Sequence, residues 1–283
     1  MKGGVAAMAV ALATLARSGF RPRADLIQVV SSGEEAGDAP GAKLMVSSGV
    51  LSGATALVVG EPTGLQVCPA QKGVRGWQIT AHGRACHSST PDLGISAISY
   101  LARVIPVLEA NPFPFTPHPL LGEPTISVTQ IQGGSAPNVI PEECRITVVM
   151  RLVPGQDGDA LDVELRRLLT EMAEATSQGV RTEIEGGGVP ALETPADHPL
   201  VQTVRDAVAA IRGAPPALIP FTGTTEAGLL APAYRLPMVI CGPGRLEQAH
   251  ETNEHVEVAE LQAAVRAYAL AADGLLGAQV ERG

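Results

Sequence analysis

The order of periodic segments in the middle of this chain limits the possible fold more than any other feature. From about Val74, "RGWQITAHG" alternates as a strand, "GISAISYLARVIPVLEA" has helical periodicity, and "PTISVTQIQGG" and "ECRITVVMRLVP" alternate again. "DGDALDVELRRLLTEMAEAT" then predicts an amphipathic helix, and "VRTEIEG" predicts a last strand. This order is that of a split βαβ unit. We therefore expect a self-contained, ferredoxin-like βαββαβ domain at residues 74–187.

The regions on either side follow a different pattern. "ADLIQVVSSGEE" and "ATALVVGEPTG" are short apolar runs that predict buried strands, each ending in small residues and carboxylates, and "LPMVICGPG" predicts a third. Buried strands separated by polar connections indicate a parallel sheet, which binds ligands beyond the carboxyl ends of its strands. The sequence thus predicts a doubly wound α/β domain made of residues 1–73 and 188–283, interrupted by the insertion.

Helix and linker signals complete this division. "ETPADHPLVQTVRDAVAAIRG" predicts a helix with Asp197 as its N-cap and Gly213 as its stop, and "EVAELQAAVRAYALAADGLL" predicts a terminal helix. The glycine run at residues 186–188, with Pro190, predicts the exit linker from the insertion.

The first twenty residues, "MKGGVAAMAVALATLARSGF", fit two structures. A lysine followed by an apolar run is the outline of a signal peptide, which would be cleaved near Ala16 in a secreted protein. The same residues form a helix that is apolar nearly all round, as expected inside an α/β layer. Four cysteines scattered without CxxC pairs look like reduced, mostly buried thiols of a cytoplasmic protein, which favours the helix.

Charge and hydropathy exclude two classes of partner. The formal charge of −9 is spread without runs, whereas nucleic-acid binders need a basic stripe. No apolar stretch reaches the roughly 18 to 20 residues that span a bilayer, so we expect no membrane association. A small polar or cationic substrate remains compatible with this composition.

Three carboxylates at the ends of predicted strands are the first candidates for chemistry. Glu34 and Glu35 are adjacent and point different ways, so one can bind a metal while the other faces the water that the metal activates. Glu61 follows the next strand. Taken singly, each is more often a solvated loop or turn residue. Two strand ends that deliver carboxylates to one edge are a stronger argument for a site.

The histidines divide into candidates and structural residues. His250 and His255 lie five residues apart, which turns them about 140° from each other on a helix, so the zinc-protease helix motif is rejected. His250, just after a glycine-rich strand end, remains a metal-ligand candidate, and His255 is expected to be structural or on the surface. His87 could donate to a reacting carbonyl or belong to a helix-capping loop. For the other three, at positions 82, 118 and 198, a structural role is expected.

Several short motifs together resemble one family, in its order, from the first residue to about Val256. They are "SSGEE", "GEPTG", "GRACHSSTPDLGISAI", "GGSAPNVIPEEC", "RLVPG", "GTTEAG" and "CGPGRLEQAHETNE". They look like the dinuclear zinc amidohydrolases and peptidases, which include acetylornithine deacetylase, succinyl-diaminopimelate desuccinylase, the aminoacylases and carboxypeptidase G. "CGPGRLEQAH" and "GTTEAGLL" are most similar to the acetylornithine deacetylase branch, which implies a role in arginine biosynthesis.

The resemblance implies a role for each candidate in a site with two zinc ions, or cobalt in their place. Glu34 would be the general base, Glu35 and His250 would bind one ion, and Glu61 would bind the other. His87 would reach from the insertion, which in this family is a lid and homodimerisation domain, into a partner subunit's site to stabilise the oxyanion.

The substrate would be held by four further residues, namely Asn138, Arg151, Gly223 and Thr224. The sequence departs from the family at Val149, where an aspartate is frequent, and at Cys86, where alanine is usual. The family's upstream histidine and bridging aspartate would precede Met1, so a metal site with fewer ligands and weak zinc binding is expected.

The leading hypothesis is zinc-dependent hydrolysis of an N-acyl amino acid, most similar to that by acetylornithine deacetylase, with desuccinylase, aminoacylase or carboxypeptidase activity as alternatives within the family. A second hypothesis is a catalytically incomplete member that acts as a binding or dimerising module. A third is the secreted binding protein that a signal peptide would imply.

Overall fold

A computed structural model of the chain describes residues 1–37, 39–175 and 179–277. These residues form two compact units, a central unit, Lys72–Ala191, and a flanking unit made of Met1–Gln71 together with the chain from Leu192 onward. The assignment of functional domains to 1–73, 74–187 and 188–283 stays a prediction, and positions 38, 176–178 and 278–283 within it lie outside the described residues.

Helices and strands are numbered in chain order. The helices are α1 (Lys2–Ser18), α2 (Pro40–Ser48), α3 (Ala97–Glu109), α4 (Gly158–Ala175), α5 (Pro199–Arg212), α6 (Ala227–Tyr234) and α7 (Val258–Leu276). The strands are β1 (Leu57–Val59), β2 (Val67–Gln71), β3 (Gly73–His82), β4 (Cys86–His87), β5 (Thr125–Gly133), β6 (Val139–Ile140), β7 (Glu143–Leu152), β8 (Arg181–Val189), β9 (Leu192–Glu193), β10 (Leu218–Phe221) and β11 (Met238–Ile240). Single 3-10 turns lie at Glu34–Ala36, Pro91–Leu93 and Leu246–Gln248.

The central unit has the predicted βαββαβ order. Its sheet runs β5-β7-β3-β8 with every neighbouring pair antiparallel. Alternate residues of β3 and β7, such as Trp77, Ile79 and Ile146, are buried against the apolar faces of α3 and α4. Burial at Leu161, Leu165 and other residues four apart on α4 follows the helical period, which is why the sequence pattern located these elements well.

The glycine run at 186–188 is part of β8, so the predicted exit linker is wrong. Gly186 lies opposite Trp77 and Gly188 opposite Arg75 in the register with β3. A Cβ on Gly186 would lie 2.7 Å from Cδ1 of Trp77, and one on Gly188 would collide with the Val74 carbonyl oxygen. Glycine is used here because the neighbouring strand approaches too closely for a side chain.

The flanking unit contains a mixed sheet in the order β1-β11-β2-β10, with β9 paired to β2. β1 and β11 are parallel, as are β2 and β10, but β2 is antiparallel to both β11 and β9. The parallel pairing expected from the sequence is thus present in two pairs, and the antiparallel pairs of β2 make the sheet mixed. Helices cover both faces, since Val58 and Val239 belong to a cluster with α1, α5 and α7, whereas Met238 and Ile240 pack with α6. This is a doubly wound α/β architecture.

The strand expected at "ADLIQVV" is absent, because residues 25–33 have no regular structure among the described residues. Ile27 and Val30 are exposed, at 48% and 61%, instead of buried. An apolar run forms a strand only when a neighbouring strand supplies hydrogen-bond partners, and none of the named strands pairs with this segment.

Two helix details also differ from expectation. α1 is buried on one face, at Gly4, Ala7 and Ala11, and exposes Val10, so it is not enclosed on all sides. The N-cap of α5 is His198, not Asp197; its side chain accepts a hydrogen bond from the Leu200 backbone N–H, which gives this histidine the structural role expected for it. Gly213 ends the helix as predicted, with a φ of 78°.

Within the described ranges, no helix is both long and apolar enough to cross a membrane.

Candidate functional site

The three predicted carboxylates of the flanking unit lie in two segments of the chain, one just after β1 and one in the 3-10 turn before α2. Glu61 follows Gly60 at the end of β1. Gly4 of α1 lies so close to Gly60 that a Cβ on Gly4 would collide with the Gly60 carbonyl oxygen. Glu34 and Glu35 form a 3-10 turn after Gly33, which adopts a left-handed conformation with φ 84°. The turn exposes Glu35 and leaves Glu34 half-buried.

Glu61 has the most strongly perturbed carboxyl group of this cluster. Burial raises its pKa to about 7. The nearby amino group of Met1 lowers the pKa, and the negative charges of Glu34, Glu35 and Glu226 raise it. A carboxyl group tuned to near-neutral pH by burial and like charges is typical of a functional site.

Glu34 is electrostatically coupled to the same group. Burial raises its pKa, the charges of Glu35 and Glu226 raise it further, and His250 lowers it. The structure therefore brings together four residues predicted separately from the sequence, Glu34, Glu35, Glu61 and His250.

His250 is positioned by the loop after β11. Its Nε2 lies 3.6 Å from Oε2 of Glu35, and both side chains are 75% exposed. Its backbone has φ 63°, in the left-handed region that a non-glycine residue seldom adopts. Such outliers concentrate at functional sites. His255 lies outside a helix and contacts Gln248 and the Asn253 carbonyl, in agreement with the structural or surface role expected for it.

The residues present do not complete a metal site. Glu35 and His250 offer the oxygen and nitrogen donors that zinc prefers, but a zinc site takes at least three protein ligands. Across the described part of the chain, no group of three or more histidine, cysteine, aspartate or glutamate side chains converges to hold an ion.

Two further polar residues belong to this site and were missed by the sequence reasoning. Glu226 directly precedes α6, and its Oε2 accepts a hydrogen bond from Oγ of Ser31. Its other oxygen, Oε1, is buried and has no hydrogen-bond partner within the described part of the chain. A signal was available, because Glu226 lies in the quoted motif "GTTEAG" and follows a strand, as Glu61 does.

Gly223 and Thr224 lie just before it, between β10 and α6, and both are half-buried. A Cβ on Gly223 would lie 2.9 Å from the Phe221 ring, which explains a small residue there without reference to a substrate.

The central unit holds the remaining predicted site residues. His87 in β4 pairs with Val139 in β6, and Ser88 N–H donates to the Asn138 carbonyl at 2.9 Å, so His87 and Asn138 are brought together. His87 is exposed, and its Nδ1 lies 2.7 Å from Oγ of Ser89. Arg151 lies near the end of β7, half-buried, and pairs with Val74 and Thr125 on the two sides.

The other two histidines of this unit are structural, as expected. His82 lies between Glu143 and Glu183, at 3.9 and 3.5 Å. Nδ1 of His118 accepts hydrogen bonds from the backbone N–H groups of Leu120 and Leu121.

The cysteines match the sequence prediction. All four lie within the described residues as unpaired thiols; Cys68, Cys144 and Cys241 are buried and Cys86 is partly accessible. Burial raises the pKa of both Cys68 and Cys241 to about 12, which makes these two thiols unreactive.

Comparison with known proteins gives consistent matches for this arrangement. Residues 69–177 match the family model described as a peptidase dimerisation domain. A probable carboxypeptidase of Neosartorya fischeri is 33% identical over 94% of this chain and 59% of its own length. The acetylornithine deacetylase of Myxococcus xanthus is 34% identical over 84% of this chain and 62% of its own length. The chain thus spans about three fifths of these relatives.

Solved structures share the fold. Aminopeptidase PepT from Bacillus cereus superposes with a TM-score of 0.78 at 21% identity, over 97% of this chain and 70% of its own. The YXEP protein of Bacillus subtilis, described as a dinuclear metal binding peptidase from the M20 family, has a TM-score of 0.72 at 20% identity, over 96% and 70% of the two chains.

Proposed function

The chain belongs to the M20 peptidase family, and on that premise we propose that the protein hydrolyses the amide bond of an N-acyl amino acid. The observation that carries the proposal is the convergence of two segments of the flanking unit, where Nε2 of His250 lies 3.6 Å from Oε2 of Glu35 and Glu34 is the neighbour of Glu35 in the same turn. N-acetylornithine is the proposed substrate, because the relative from Myxococcus xanthus carries that activity in its name.

Glu34 is proposed as the general base. Amide hydrolysis needs a group that accepts a proton from the attacking water and returns it to the leaving amine, and such a group works best when its pKa approaches the working pH. Burial raises the pKa of Glu34 in this direction. His87 is the proposed donor to the oxyanion, and Asn138, Arg151, Gly223 and Thr224 are the proposed substrate contacts.

Metal dependence is part of the proposal, with zinc or cobalt as the ion. Glu35 and His250 are the proposed ligands of one ion, supported by their 3.6 Å approach, and Glu61 is the proposed ligand of another. We further propose a homodimer formed through the central unit, supported by its match to the dimerisation model, and a cytoplasmic location, supported by the four unpaired thiols.

The test is amine release from N-acetylornithine, with other N-acetyl and N-succinyl amino acids and a peptide-type carboxypeptidase substrate assayed in parallel, each with Zn²⁺ or Co²⁺ supplied. We expect the fastest release from N-acetylornithine, abolished in Glu34→Gln and retained in Glu171→Gln, an exposed carboxylate on α4. Absence of amine release from every substrate by the folded protein would refute the proposal, and preference for another substrate would correct its specificity.

A second candidate function is a binding or dimerising module without hydrolysis. The match of residues 69–177 to the dimerisation model favours it, since three of the four strands of the central sheet lie within the matched range. Metal analysis separates the two candidates. Tight, near-stoichiometric zinc after dialysis would exclude the module, whereas a metal-free dimer by light scattering that releases no amine would support it.

A further inference from the structure

We propose that Glu226 is a positioning residue that holds the loop at residues 31–35 in place through Ser31. The loop carries Glu34 and Glu35, so the functional meaning of the proposal rests on the proposed hydrolysis. Whether Glu226 holds the loop in place can be tested without measuring any enzymatic activity.

The contact itself links distant parts of the chain. Oγ of Ser31 donates to Oε2 of Glu226, and both residues are half-buried. Among the described residues, Oε1 of Glu226 is buried without a hydrogen-bond partner, and Oε2 accepts its hydrogen bond from Ser31. A carboxylate with one oxygen buried depends strongly on such a donor, because charged acceptors lose much of their solvation on burial.

The position of Glu226 is fixed by the contacts of the residue before it. The preceding residue, Thr225, is 4% exposed, and its Oγ1 donates to Oε1 of Gln71 at 2.7 Å and accepts from the Ala227 N–H at 3.1 Å. Gln71 is fully buried at the end of β2. The carboxylate is thereby tied to the central strand of the flanking sheet and to the start of α6.

The loop is also fastened on its other side. The N–H of Gly41 in α2 donates to the Ser32 carbonyl at 3.2 Å. A Cβ on Gly41 would lie 2.8 Å from Cβ of Ser31, so α2 and the loop are in close contact. Because α2 and α6 pack together around Ala42 and Leu230, the loop lies between two elements that are fixed to each other.

The two partners of this contact are not equivalent. Removing the Ser31 hydroxyl leaves the Glu226 carboxylate without that donor while its Oε1 is already buried and unsatisfied among the described residues, which costs the desolvation penalty of a charged acceptor. Removing the carboxylate leaves only a neutral hydroxyl without its acceptor, which costs less. Removing the hydroxyl should therefore open the loop more than removing the carboxylate.

Hydrogen–deuterium exchange of peptides covering residues 31–37 tests this ordering. We expect Ser31→Ala to speed exchange by roughly tenfold or more, as loss of a hydrogen bond to a charged group implies. Glu226→Ala should give a smaller increase, and Glu226→Gln, which keeps an acceptor, should exchange like the wild type. The double variant Ser31→Ala with Glu226→Ala should match Glu226→Ala alone. Ser47→Ala, an exposed hydroxyl on α2, is the matched control and should change nothing.

Kinetics provides the second readout. We expect Ser31→Ala and Glu226→Ala to lower kcat with little change in KM, and Glu226→Gln to restore kcat, whereas a general loss of folding would alter both parameters together. Additive effects of the two alanine substitutions on exchange, or exchange in Glu226→Gln equal to that in Glu226→Ala, would overturn the positioning role. If exchange follows the expected order but the wild type turns over no substrate, the positioning role stands and the proposed hydrolysis fails.

Discussion

Asp162 of α4 is expected to anchor the core of the central unit. Its carboxylate accepts hydrogen bonds from Nε and Nη2 of Arg75, at 3.0 and 2.5 Å, and from Nε1 of Trp77 at 2.7 Å. Trp77 is 1% exposed and is the only tryptophan of the chain. The Arg75 and Asp162 side chains are 13% and 20% exposed, so water screens this pair only in part.

Replacing Asp162 by alanine removes the acceptor of three N–H donors on two side chains, Arg75 and Trp77. A buried N–H without a partner costs about 1–3 kcal/mol. Breaking a fully buried ion pair costs about 3–5 kcal/mol, and the partial exposure here reduces that figure. We expect Asp162→Ala to lower the free energy of unfolding by about 3 kcal/mol. Asp162→Asn keeps an oxygen for Trp77 and should lower it by about 1–2 kcal/mol.

The effect depends on pH with a definite sign. Burial raises the pKa of Asp162, but the hydrogen bonds from Arg75 and Trp77 and the arginine charge outweigh it and hold the pKa below its usual value. The stabilisation is therefore fully present above the unfolded pKa of about 3.9 and is lost as the pH falls through the lower, folded value. The difference between wild type and Asp162→Ala should be complete at pH 7 and shrink below about pH 4.

Urea unfolding followed by Trp77 fluorescence measures this directly, because the fluorophore lies within the central unit. Asp159→Ala is the matched control, since Asp159 contacts the same arginine at 3.4 Å with a 94% exposed side chain and should change the free energy of unfolding by less than about 0.5 kcal/mol. A value for Asp162→Ala within that same range at pH 7 would refute the reasoning.

Two further outcomes follow from the packing. Gly188→Ala should destabilise the central unit by about 1–3 kcal/mol, because its Cβ would collide with the Val74 carbonyl oxygen. A Cβ on Gly187 meets no atom within 4 Å, so Gly187→Ala should be tolerated. Equal midpoints of the two variants in thermal unfolding would contradict this. Iodoacetamide at pH 8 should label Cys86 alone in the folded protein and all four cysteines in urea, since the other three are buried. Intact-mass spectrometry counts the labels. Comparable labelling of a buried thiol in the folded protein would contradict this expectation.

Local patterns were sufficient for most elements of the central unit. Its strands and helices alternate with clear periods of two and 3.6, and each element meets a neighbour that its own pattern anticipates, as Ile79 and Ile146 do across β3 and β7. The same rules gave a wrong prediction at residues 186–188, where the glycines belong to a strand and allow the neighbouring strand to approach closely, and do not form a linker. They failed again at "ADLIQVV", because strand formation depends on a partner that a local pattern cannot supply.

The sequence by itself determined the βαββαβ order of the central unit and the identities of Glu34, Glu35, Glu61 and His250 as site candidates. Residue chemistry can be recognised within a short segment, and for Glu61 and His250 the end of a preceding strand could be recognised as well. Only the tertiary structure decided that Glu226 joins them, through a hydroxyl 195 positions away at Ser31. Contacts at such separation form when α2 and α6 pack together, and no local period records that packing. The environment that raises the pKa of Glu61 to about 7 arises in the same way, from burial and from charges that the fold brings into proximity.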